Sequence, residues 1–401
     1  MQHAQSRTWS RRWIGRGALV ALAGAAVFGV SPVLPALAAS WSSPVGLPGS
    51  CGSSVAVNQA GAMAAGGTFT ASNGTLQVEV CTSTNGTTWQ ATDLGPGGGI
   101  VVAVTPAGQT VALWESTGST ALEAAVHPAG GSWGAPVTLS TSVGGGLVLG
   151  ADGSGNVIAG WVASGGTVTD AVLPAGSSSW GPATALSTEN DQGVAHDISM
   201  AVNSGGGAII MFNGGLNNLW AISGTVTGGF SAPVEVASGA GSHSYIRSGT
   251  SAVALNNAGE ASVAWSVLDG QTGLLTRSPS GTWGDTIVNA RTAPAVPVST
   301  AIDGAGNAIA VFGSSYSWHL AGGSWQTAAA LPSGSSGGLA VADQAGIFVY
   351  ANTAGDAFTF TAGASSFGTG SGSLGSLGGL KIVPGKAVML AADAVFTEPV
   401  S

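Results

Sequence analysis

Eight glycine-centred turns at a period of roughly 40–50 residues, eight aromatics marking the far end of each period, and four strand-length apolar runs per period predict an all-β fold. That fold is the eight-bladed β-propeller of four-stranded antiparallel blades. The turn glycines are Gly61, Gly108, Gly155, Gly207, Gly259, Gly306, Gly346 and Gly385, and the aromatics are Trp41, Trp89, Trp133, Trp180, Phe230, Trp283, Trp325 and Phe367.

Residues 102–139 carry the pattern most plainly. Val102 to Val104 form a first strand, Thr105 to Gly108 its turn, Thr110 to Trp114 a second strand and Ala121 to Val126 a third. Pro128 to Trp133 then turn the chain into a fourth strand from Ala135 to Leu139. Each run is too short for a helix and is bounded by turn residues. Glycine recurs at the first turn because a tight hairpin needs positive φ, and an Asp or Asn just before it can bond the turn backbone. Asp152 to Asn156 and Asp303 to Asn307 also hint at calcium loops, but they bring too few oxygen ligands, so turn chemistry is the preferred reading and no metal is expected. The last copy, from Leu380, ends without a fourth strand, so the N-terminal strand around Trp41 to Leu47 is expected to complete the C-terminal blade.

Residues 1–38 read as a secretory signal peptide. Arg7, Arg11, Arg12 and Arg16 precede an apolar stretch from Gly17 to Val30, and Ala36-Leu37-Ala38 offers a cleavage site. Ser10-Arg11-Arg12-Trp13-Ile14 resembles the start of a twin-arginine export signal, so the Sec and twin-arginine routes both stay open. Residues 39–401 are then one propeller domain, exported to the extracellular space, with no membrane span once the leader is removed. That domain holds five basic residues, Arg247, Arg277, Arg291, Lys381 and Lys386, against all 18 acids of the chain. Such a balance argues against a nucleic-acid partner. The 67 glycines and 44% hydrophobic content describe buried strands joined by tight turns rather than a disordered chain. A monomer is expected.

Cys51 and Cys81 are the only cysteines, and an exported chain meets oxidising conditions, so a disulfide between them is expected to tie the loop before the first blade to that blade's third strand. Two thiols are too few for a metal site.

Ser83-Thr84-Asn85-Gly86-Thr87-Thr88-Trp89 resembles the Asp-box turn of sialidase-like propellers, with Asn85 in place of the aspartate and one spacer residue missing. The turns ending at Trp133, Trp180, Trp283 and Trp325 look like degenerate versions of it. The resemblance covers most of the domain and implies a secreted bacterial propeller in which these turns pack structurally. Sialidases of this kind take three arginines from separate blades, whereas Arg247, Arg277 and Arg291 all fall within residues 247–291. No catalytic residue is carried over.

In a propeller the loops between blades and those joining second to third strands share one face, the usual binding face. The candidate ligand-binding residues assigned to it are Glu189, Asp191, His196, Asp197, His243, Tyr245, Arg247, Asp269, Arg291 and Tyr316, with Glu115 at the end of a second strand nearby. In an extended segment His243, Tyr245 and Arg247 point the same way, the set a polysaccharide lyase would use: arginine on a uronate carboxylate, His or Tyr taking the proton. The simpler reading is a solvated loop. His127 and His319 lie in third strands, away from this group, and read as structural. Trp114, Trp161, Phe212, Trp265 and Phe312 close second strands at equivalent places, where they either pack between blades or form stacking platforms for sugars. The favoured function is a non-enzymatic propeller binding a glycan or an extracellular protein, with no cofactor. The alternatives are a carbohydrate-active enzyme, lyase ahead of glycosidase or sialidase, and a structural surface protein.

Overall fold

The structure is a computed structural model that describes residues 21–23, 41–118, 120–188, 195, 198–214, 218–237, 246–267, 272–284, 287–289, 296–332, 336–361, 367, 374–384, 386–391 and 393–399. It is an all-β, eight-bladed propeller of antiparallel sheets. The innermost strands of blades one to eight are Ser54–Val57, Gly98–Val104, Val143–Ala151, Ile198–Asn203, Ile246–Leu255, Val298–Ile302, Leu339–Ala342 and Leu377–Val383. Each is followed outward by its blade's second, third and fourth strands, and the seventh blade shows three among the described residues. Residues 1–38, the expected leader, lie outside the described residues except for Ala21–Ala23, which pair in parallel with Ala201 to Asn203 of the fourth blade's innermost strand.

One blade cannot bury itself. Side chains alternate across each strand, so every sheet presents two apolar faces, and each needs a neighbouring sheet to leave water. The buried hydrophobic residues accordingly fall into eight clusters, each spanning two adjacent blades, so that the set runs round the whole ring.

Ring closure takes the expected route. Val45 and Gly46 pair with Val395 and Ala394, adding a fourth strand to Leu377–Val383, Lys386–Ala391 and Ala394–Pro399. The Ser42 N–H donates to Thr397 O at 2.8 Å, and Trp41 packs into the cluster between blades seven and eight. The disulfide Cys51–Cys81 is formed, with Cα atoms 6.0 Å apart, and fastens the segment after the closing strand to the third strand of the first blade, Leu76–Ser83.

The first turn of each blade is built as its sequence implies, with one correction. Gly61, Gly108, Gly155, Gly259, Gly306 and Gly346 all hold φ between 84° and 97°, but in the fourth blade the turn glycine is Gly206 (φ 84°), not Gly207. The run Gly205-Gly206-Gly207 leaves the position ambiguous in sequence, and Asn203 resolves it. Its carbonyl accepts from the Gly206 N–H at 3.1 Å, while its side-chain oxygen accepts from the Gly207 N–H at 2.8 Å and starts the next strand there. Gly385 lies outside the described residues.

The interface between blades three and four carries a polar fault. Asp170, in the third-blade strand Val168–Leu173, alternates with Val168 and Val172 on the face turned to blade four; it is 6% exposed, and its Oδ1 has no partner. Its register neighbour is Gly160, where an added Cβ would lie 2.8 Å from Val148 Cγ2. Burial pushes its pKa up to about 6, with a backbone hydrogen bond opposing the shift.

Two outcomes follow from this packing. Cys51→Ala/Cys81→Ala should lose about 3–4 kcal/mol of unfolding free energy, the loop-entropy value for a bridge spanning some 30 residues, as read by denaturant melts. For Asp170 the folded pKa lies above the unfolded one, so the group costs nothing below about pH 4 and its penalty grows as pH rises through 6. Asp170→Asn should therefore raise the melting temperature above pH 6 and lose that advantage towards pH 4; a gain independent of pH would refute the assignment.

Candidate functional site

The two ends of the ring differ in chemistry. At one end lie the first turns and the turns between third and fourth strands, where Asp and Asn side chains bond their own turns. Asp152 Oδ1 accepts from the Ser154 and Asn156 N–H groups, both at 2.9 Å, and its Oδ2 takes the Asn156 amide at 2.8 Å. Asp303 repeats this with Ala305 and Asn307. Burial pushes the Asp303 carboxyl up, opposed by the bonds from Asn307, Ala305 and Gly306. Where the residue is Asn, its amide also crosses to the next blade. Asn58 Nδ2 donates to Thr105 O, Asn203 Nδ2 to Asn256 O and Asn256 Nδ2 to Asp303 O, each at 2.9 Å. These side chains are turn clamps and blade ties.

The turns between third and fourth strands are equally structural. Asn85 Oδ1 accepts from the Thr87 and Thr88 N–H groups at 2.9 Å, Ser83 Oγ from the Gly86 N–H at 2.8 Å, and the Trp89 indole donates to Gly86 O at 3.2 Å. The last residue of a third strand stacks on the following tryptophan in three blades: His127 on Trp133 at 5.2 Å, His319 on Trp325 at 5.5 Å, and the Arg277 guanidinium over Trp283 at 5.8 Å. Both histidines are thus packing residues.

The opposite end, where blades are joined, is built differently. Innermost strands start there with paired glycines in blades two, three, seven and eight: Gly98-Gly99, Gly144 to Gly146, Gly337-Gly338 and Gly378-Gly379. Bulges interrupt the ladder between Gly98 and Val101, Val143 and Leu147, and Leu377 and Gly379. At Gly379 the reason is steric, since a Cβ would lie 2.6 Å from Val55 Cγ1 across the joint. Gly99 (φ 63°) and Gly145 (φ 145°) are different: a Cβ at Gly145 would meet nothing within 4 Å, and one at Gly99 would meet only Glu115 and Leu147, at 4.0 Å. Their backbone borders open space. Glu115 ends the second strand Thr110–Glu115 beside them, half-buried, and burial pushes its pKa up. The hydroxyls of Ser142 and Ser164 touch each other at the same end of blade three. Glu115 adjoins the bare backbone of Gly99, and Gly145 and the two hydroxyls lie at the same end of blade three, groups suited to a polar ligand.

Of the residues selected from sequence, Glu189, Asp191, His196, Asp197, His243, Tyr245, Asp269 and Arg291 lie outside the described residues. Arg247 is at the loop end of the fifth blade's innermost strand, Ile246–Leu255. Tyr316 is not a loop residue. It sits in the third strand of blade six, Ser315–His319, 3% exposed, edge-on to Phe367 at 4.8 Å and Phe360 at 6.0 Å, where burial raises its phenol pKa. Its strand begins after a two-residue turn, Gly313-Ser314, which draws it into the sheet. The glycine pairs were missed as site features; their sequence mark is the repeated Gly-Gly before an apolar inner strand. Trp114, Trp161, Phe212, Trp265 and Phe312 are at most 4% exposed, so they pack between blades and are not platforms. Among the described residues no group of three or more His, Cys, Asp or Glu could hold a metal ion.

No protein-family model and no curated protein matches the chain. Its fold is similar to solved propellers at low identity. The BP39L lectin from Burkholderia pseudomallei superposes with TM-score 0.53 at 15% identity, over 80% of this chain and 99% of that one. Sqt1 from Saccharomyces cerevisiae gives TM-score 0.58 at 10% identity, over 87% and 95%. BamB from Moraxella catarrhalis gives 0.54 at 14%, over 90% and 99%. These likenesses establish the β-propeller fold and leave the sialidase-like resemblance at the level of sequence.

Trp114→Ala should cost about 3–5 kcal/mol of stability in denaturant melts, the range for emptying a buried aromatic site. A loss under 1 kcal/mol would mean the indole is a surface platform after all.

Proposed function

We propose that this chain is an exported, non-enzymatic propeller that binds an extracellular glycan at the end of the ring where the blades are joined. The observation that carries this reading is the contrast between the two ends. At the first-turn end Asn58, Asp152, Asn203, Asn256 and Asp303 already spend hydrogen bonds on turns and neighbouring blades, whereas Glu115 and the backbone at Gly99 and Gly145 border unfilled space. A sugar ring needs close backbone approach for its flat face and acceptors for its hydroxyls, and this end of blades two and three offers both. The excess of acidic residues favours a neutral glycan over a polyanion. The Burkholderia pseudomallei neighbour, a lectin, fits the same reading. The candidates Glu189 to Asp197, His243 to Arg247 and Arg291 precede or begin the innermost strands of the next three blades, and they would extend the site round the ring.

A glycan-array screen of the purified protein should return hits, and Glu115→Ala should weaken a hit at least tenfold without lowering the melting temperature. Tyr245→Ala/Arg247→Ala tests the extension in the same way. Unchanged binding in both variants would move the site elsewhere, and release of unsaturated uronides from a hit would replace the binding reading with a lyase.

A further inference from the structure

The joint that closes the ring holds a buried amine with no counter-ion among the described residues. Lys381 lies in the middle of the eighth blade's innermost strand, 6% exposed, and its Nζ has no hydrogen-bond partner. Strand alternation fixes its direction. Gly379, two residues before, approaches Val55 of blade one, and Val383, two residues after, belongs with Val55, Val57 and Met63 to the cluster between blades eight and one. Val388, the register partner of Lys381, belongs to that cluster as well. The lysine stem therefore enters the apolar seam between the last blade and the first.

The charged groups on the surrounding elements leave it unpaired. Ser54–Val57 and Met63–Thr70 of blade one carry none, and neither do Leu339–Ala342 of blade seven or Ala21–Ala23. Leu76–Ser83 carries Glu79, whose carboxylate accepts from the Ser50 N–H at 2.6 Å. Lys386–Ala391 contributes a second cation, Lys386. Glu398, in Ala394–Pro399, alternates with Phe396 and so shares the face turned to blade seven. Asp393 lies at the joined end of the ring, beside Gly52.

We propose that this joint is a proton-sensitive seam, at which uptake of a proton by Lys381 favours separation of blade eight from blade one. The mechanical conditions are met at the same place. The closing strand is held by the pairs Val45–Val395 and Gly46–Ala394 and by the backbone bonds Ser42 N–H to Thr397 O and Leu47 N–H to Asp393 O, a short ladder. The disulfide joins Cys51 to Cys81 on the first-blade side and does not cross the seam, so it tethers the released strand without preventing its release.

The sign follows from the two environments. In the closed seam burial pushes the amine down to about 7, whereas a hydrated lysine titrates near 10.4. Opening therefore takes up a proton between these values, and each unit of pH lowered within that range favours the open form by up to tenfold. Below pH 7 both forms are protonated and the dependence flattens.

Hydrogen-exchange protection of the Leu377–Val383 and Ser54–Val57 amides, corrected for intrinsic rates, measures the opening. From pH 9 to pH 7 protection should fall about 50-fold in the wild type, while amides of Val148 to Ala151, in the third blade's innermost strand, hold theirs. Lys381→Met should abolish the slope. A slope retained in that variant, or none in the wild type, overturns the proposal. Should the variant not fold, an NMR titration of lysine-labelled wild-type protein decides the matter, because Lys381 and Lys386 are the two lysines of the chain. Two resonances titrating near 10 refute the seam; one near 7 supports it.

Discussion

A blade with two apolar faces is stable only between two others, and everything else in this molecule follows from satisfying that condition around a closed ring. Eight inter-blade clusters of small and branched side chains, with one large aromatic from each of several second strands, form a core with no centre. The stabilising burial is distributed, so no single blade is a folding unit on its own. The cost is concentrated at the joint, where chain ends meet and continuity of the backbone is lost. Here the N-terminal segment lends a strand to the last sheet, and a disulfide fastens the following segment to the first.

Polar groups are placed in keeping with that packing. At the first-turn end, Asx side chains close their own turns and reach across to the next blade, so hydrogen bonds reinforce the apolar walls at their rim. Within the walls Asp170 between blades three and four and Lys381 between blades eight and one break the pattern. Their environments shift them in opposite directions, the carboxyl up and the amine down, because each is driven towards its neutral form. At the other end Asn352 and Asn73 clamp two of the turns, but glycines thin the innermost strands there and leave backbone at Gly99 and Gly145 uncovered.

The fold was legible in the sequence because a repeat multiplies weak local signals. One glycine turn followed by an apolar run says little, but the same unit from Gly61 to Gly346, each with an aromatic some twenty-odd residues on, restricts the architecture to stacked blades. Borrowed-strand closure was legible too, from the mismatch between Trp41 at the start and the missing fourth strand at the end. The fourth-blade turn was misplaced by one residue because three consecutive glycines are equivalent until Asn203 selects among them. Tyr316 was read as a loop residue because its blade shortens the second-to-third connection to two residues, a change that removes the loop while the glycine and aromatic marks of the repeat persist.

What the sequence determined by itself was the architecture, the closure and the disulfide, since these depend on period, residue type and count. Which faces of each strand meet, and at what distance, was decided by the tertiary structure alone. Glycine pairs look alike in sequence, yet Gly379 exists to let two blades touch while Gly145 borders open space, and only the neighbouring sheet distinguishes them. The same holds for Lys381, an ordinary lysine by composition, whose isolation comes from blade one, more than three hundred residues earlier in the chain and brought against it by ring closure.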